Sequence, residues 1–73
     1  MTRAQSNQIN WMVVCVNEFA RYKALEVQAA FMYLYQFGGI SFLTEHYEAE
    51  HTLSFEEAVE DLELICKKQV GNL

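Results

Sequence analysis

Residues 54–68 read Ser-Phe-Glu-Glu-Ala-Val-Glu-Asp-Leu-Glu-Leu-Ile-Cys-Lys-Lys, and this stretch decides the fold class. Phe55, Ala58, Val59, Leu62, Ile65 and Cys66 recur at the i, i+3, i+4, i+7 spacing of one helix face. Ser54 with Glu57 three residues on forms a capping box, in which the two side chains satisfy backbone N–H groups at a helix start. Acids come first and Lys67-Lys68 last, the arrangement the helix dipole favours. An amphipathic helix with a single buried stripe follows.

Working outward, the rest of the chain repeats that period. It contains no proline, and Gly38-Gly39 is its main breaker. Ser6 or Asn7 is the expected N-cap of a first helix running to about Tyr22, with Ile9, Met12, Val13, Val16, Phe19 and Ala20 facing the core. A second helix is expected from Leu25 to Phe37, with Val27, Ala30, Phe31 and Leu34 on its apolar face and the glycine pair as its stop. A short third helix over Ile40 to Tyr47 and a turn through Glu48 to Leu53 lead into the last one. The reading is all-α: a small bundle of three to four helices with an antiparallel first and last helix. Residues 1–73 form a single helical domain, with 1–5 a disordered N-terminal tail.

Composition narrows the function. With 73 residues, 52% of them apolar, the chain can bury one core, or ~60% of the surface its unfolded form exposes. Five basic against ten acidic side chains leave a net charge of −5, which opposes binding to a phosphate backbone. Arg3, Arg21, Lys23, Lys67 and Lys68 form no dense stripe, so neither nucleic acid nor an anionic membrane surface is the expected partner. Cys15 and Cys66 lie in apolar stretches without CxxC spacing and read as reduced core residues. The apolar run Trp11 to Val16 is too short to span a bilayer, and Thr2 to Gln8 lacks the layout of a signal peptide. A cytoplasmic location follows as the expectation.

The densest set of polar side chains is Glu45 to His51, where His46 and His51 accompany Glu45, Glu48 and Glu50. Zinc accepts such ligands, but histidines five apart on a helix lie roughly 140° from each other, and neither HExxH nor HxxEH is present. The segment reads as a solvated acidic turn with a packed or capping histidine, and a metal- or histidine-dependent site there is the lesser alternative. No catalytic residue, cofactor-binding residue or metal ligand is assigned. Eight of the ten acids fall between Glu45 and Glu63, either a solvated face or a docking surface for a basic partner.

Phe31 to Phe37 holds four aromatics and a methionine, a composition enriched at interface centres. One core cannot take all seven side chains. Trp11, Met32, Tyr33 and Tyr35 are therefore the candidate interface, facing a protein partner or a second copy in a homodimer.

His46-Tyr47 through His51-Thr52, followed by Glu56-Glu57-Ala58-Val59-Glu60-Asp61-Leu62, resembles the bacterial domain of unknown function 3791 family. Val13 to Tyr22 fits the apolar first helix of such proteins. Tyr47, His51, Thr52, Glu60 and Asp61 fall on the family's motif positions, while Val27 to Phe37 is more apolar than the resemblance leads one to expect. The family has no established activity. Its genes look often to be neighbours of ADP-ribosyltransferase-like toxin domains, which implies an antitoxin or accessory role. The expectation is a non-enzymatic protein-interaction module without cofactor, with a homo-oligomeric structural protein as the alternative. Hydrogen bonding of His51 to a backbone carbonyl, and capping of the last helix by Thr52 or Ser54, account for the motif structurally.

Overall fold

Helix α1 spans Arg3–Lys23, α2 Val27–Gln36, α3 Gly39–Glu45, α4 Tyr47–Glu50 and α5 Phe55–Gly71. The computed structural model describes residues 2–71, and among them there is no strand. The protein is thus a small all-α bundle. No helix among the described residues is long and apolar enough to cross a membrane.

The start of α1 corrects the expected tail at residues 2–5 and the expected cap at Ser6 or Asn7, while Met1 lies outside the described residues. Thr2 is the N-cap: its hydroxyl accepts from Gln5 N at 3.2 Å, and Gln5 Oε1 accepts from Thr2 N at 3.1 Å. Thr-x-x-Gln is itself a capping-box pattern, and it wins because it satisfies two N–H groups at once. At the other end Ala24 takes the left-handed conformation at φ 55°, and Leu25 N bonds Ala20 O at 2.8 Å, closing the helix.

Gly38 and Gly39 turn the chain between α2 and α3 for two reasons. Gly38 sits at φ 85°, where a side chain would be strained. A Cβ at Gly39 would come within 2.7 Å of Leu34 Cδ2, so only glycine lets α3 fold back onto α2. The expected continuous helix from Ile40 to Tyr47 breaks at His46, and the expected turn after Glu48 contains the single helical turn α4.

Cys15, Val16, Phe19 and Ala20 of α1 meet Ala30 and Leu34 of α2, Leu43 of α3, and Ala58, Val59, Leu62 and Cys66 of α5. Ile65 is half-buried and Phe55 lies outside this core. Both cysteines are free and buried; burial pushes the Cys15 thiol up to about 12, helped by the nearby Glu50 carboxyl, and raises Cys66 as well. Such thiols are packing residues and poor nucleophiles.

Candidate functional site

Helices α1 and α2 each carry two overlapping apolar frames, and the fold uses only one from each. On α1 Met12, Cys15, Val16, Phe19 and Ala20 turn inward; on α2 Ala30, Tyr33 and Leu34 do, with Phe37 at its C-cap. Both contain the i, i+3, i+4, i+7 spacing; the face of α2 is rotated by roughly 60° from the stripe the sequence suggested, and that of α1 by less, because Ala20 stays inward. Ile9, Val13, Val27 and Phe31 are left outside, at 44–52% exposure, although Ile9 and Val13 are expected in the core and Val27 and Phe31 on the apolar face of the second helix.

These four residues converge. With Met12, Val16, Gln28 and Ile40 they line an open groove of 410 Å³ between α1 and α2. Gln28 is its polar exception, and none of the lining residues is charged. The flanking sequence extends the same character: residues 4–17 and 27–44 contain no Asp, Glu, Lys, Arg or His. That charge-free pairing was visible in the sequence and is the signal that could have located the groove.

Of the four candidate interface residues, two are half-buried against neighbouring rings. Trp11 is half-buried and meets Tyr47 edge-on, with ring centroids 5.3 Å apart and planes at 70°. Tyr33 stacks on Phe19 at 6.0 Å and leans on Phe37 at 4.9 Å. Both are half-buried, each with part of its ring against an aromatic neighbour and part exposed. Met32 and Tyr35 are exposed, at 57% and 68%, and Phe31 stacks on Tyr35 at 6.3 Å, which carries the apolar surface on along α2.

A second region behaves in the opposite way. Glu50, expected in a solvated turn, is only 7% exposed, and its Oε1 has no hydrogen-bond partner. Burial raises its carboxyl to about 7, reinforced by hydrogen bonding to Asp61 and by the negative charges of Asp61 and Glu57. A protonated Glu50 donating to Asp61 is the arrangement that this surrounding favours.

The histidines flanking Glu50 are separately engaged. His46 rests on Phe42 with ring centroids 4.9 Å apart, whereas His51 stacks on Tyr47 at 4.5 Å and donates from Nδ1 to the Tyr47 carbonyl at 2.7 Å. Among the described residues, no group of three or more His, Cys, Asp or Glu side chains is placed to hold a metal ion. Thr52 Oγ1 donates to Ala49 O at 2.7 Å and so closes α4; the cap of α5 is Ser54, whose Oγ accepts from Glu57 N at 3.2 Å.

The family model described as Protein of unknown function (DUF3791) matches residues 10–69 of the 73. The chain belongs to this family. No curated protein and no solved structure is significantly similar to it. Within this DUF3791 member, Tyr47, His51 and Thr52, three of the residues expected as a motif, build a brace around α4: the rings of Trp11, Tyr47 and His51 tie it to α1, and Thr52 ends it. Asp61 is the half-buried partner of Glu50, while Glu60 is exposed and helps line a shallow depression with Tyr22, Phe55 and Val59. These contacts brace the DUF3791 chain around α4, and the apolar groove opens between α1 and α2.

Proposed function

We propose that this protein is a protein-interaction module of the cytoplasm whose binding face is the groove between α1 and α2. One observation carries the reading: four large apolar side chains, each about half exposed, converge on an uncharged groove. An apolar groove between helices is the shape that receives the apolar face of another helix, and its cost to the isolated protein is the hydration of that surface. The partner implied by the family resemblance is an ADP-ribosyltransferase-like toxin, for which the module would serve as antitoxin or accessory protein.

The test is site-specific photo-crosslinking in the native host, with a photoreactive phenylalanine at Phe31 and, as control, at Leu64, an exposed apolar residue of α5. Cross-links to a defined protein at Phe31 and none at Leu64 support the groove, and an ADP-ribosyltransferase-like product supports the toxin partner. Equal, diffuse labelling at both positions counts against the groove.

A further inference from the structure

We infer that the occupant of the α1–α2 groove is a second copy of this chain, giving a two-fold symmetric dimer in which the α1–α2 pairs of both copies pack as one four-helix layer. This rests on the groove being a protein-binding face and goes on to name what binds there.

Charge is the first argument. Two copies each at −5 repel, and the repulsion is least where the touching surfaces carry no charge. Residues 4–17 and 27–44 are such a surface, whereas eight of the ten acids lie between Glu45 and Glu63. A basic partner helix would instead be drawn to those acids and away from the groove.

Area is the second. Ile9, Val13, Val27, Phe31, Met32 and Tyr35 are 44–68% exposed. At ~150–200 Å² for a large apolar residue, they offer ~500 Å², more than half of the ~800 Å² that each partner contributes to a standard interface. The polar residues beside them, Gln5, Asn10, Asn17 and Gln28, suit the rim.

The shape of α1 is the third. Its buried residues begin only at Cys15, so the three turns from Arg3 to Val14 contain no fully buried side chain. Gln8 and Met12 touch Thr44 on one flank, through Gln8 Nε2 to Thr44 O at 3.4 Å and Thr44 Oγ1 to Met12 Sδ at 3.9 Å. The Ile9 and Val13 flank faces the open groove. In an isologous contact the same flank of the second copy covers it, so one surface satisfies both copies.

Sedimentation equilibrium of the full chain, from about 1 to 500 µM, tests this against two variants: Val13→Asp with Phe31→Asp, and the milder Phe31→Ser. Circular dichroism reports whether each stays helical. The expected result is a wild-type mass of twice 8.5 kDa. Phe31→Ser should raise the dissociation constant ~10-fold or more, and the double variant ~100-fold or more. A wild type that remains at 8.5 kDa throughout overturns the dimer while leaving the groove available to a different protein, which the Phe31 cross-link then reveals. A dimer that neither variant weakens overturns the dimer through this face, and the Phe31 cross-link decides separately whether the groove receives a different protein.

Discussion

The α1–α2 groove leaves apolar side chains in water, while the chamber under α4 takes a carboxylate out of it. Both are departures from the ordinary distribution, and they have different causes. The groove exists because α1 and α2 carry more apolar faces than the described helices cover, and it is where we propose that a partner docks. The Glu50 chamber exists because α4 is pinned by its aromatic neighbours and swings its last residue inward, toward Asp61 and Cys15. That excess is resolved within the chain, by a proton. One region looks outward for completion and the other is complete only when protonated.

Breaking the core beneath both regions gives the largest effect. Phe19 is fully buried and stacks on Tyr33, so Phe19→Ala is expected to cost ~3–5 kcal/mol. Against the ~4–11 kcal/mol typical of a chain this size, that is enough to unfold much of the population at 37 °C. Chemical denaturation at 25 °C measures it, and a cost under ~1 kcal/mol would mean that the groove and the chamber do not share this core.

The chamber is sharpened by pH. Folding raises the Glu50 carboxyl from 4.5 to about 7, so its contribution is fully present below the unfolded value and is lost as pH rises through about 7. Stability should fall between pH 5 and 8 by on the order of 3 kcal/mol, an upper figure because structure relaxation and water entry reduce it. Glu50→Gln keeps the shape, removes the ionisation and can still donate to Asp61; it should flatten the profile and be the more stable protein at pH 8. Parallel profiles for wild type and Glu50→Gln would show that Glu50 ionises freely in the folded protein.

Ser54 links α4 to α5, which carry Glu50 and Asp61, since its hydroxyl fixes the first turn of α5 just after the Thr52 closure of α4. Ser54→Ala should lose ~1 kcal/mol, the usual worth of an N-cap, with no change in the pH profile. A change in that profile would mean the cap also sets the Glu50–Asp61 distance.

These contrasts mark where the sequence could be read and where it could not. The stripe on α5 was legible because charges alternate with it, leaving one choice of face; Ala58, Val59, Leu62 and Cys66 are all buried as expected. On α1 and α2 nearly every frame is apolar, so periodicity predicts a buried face without saying which one. Tyr33 and Phe37 went in, Val27 and Phe31 stayed out, and only the positions of Phe19 and Gly39 on neighbouring elements decide between them. The Ser54 cap and the His51 bond to a backbone carbonyl were local patterns and therefore readable. Burial of Glu50 depends on Trp11 meeting Tyr47 across 36 residues, which no local pattern encodes.

The smallest effect belongs to the groove, and it depends on concentration. Phe31 is 44% exposed, so in dilute protein Phe31→Ala removes contacts that are already half hydrated and should cost less than ~1 kcal/mol. At high concentration a filled groove adds its binding free energy to stability, and the wild-type melting temperature should climb with concentration while that of Phe31→Ala stays nearly level. The same residue would then be almost silent in the monomer and important in the assembly. A cost of ~3 kcal/mol at every concentration would show instead that Phe31 is packed inside the free protein. The groove would then be closed in solution, and the contrast between an outward-looking face and a self-contained chamber would fail at its first term.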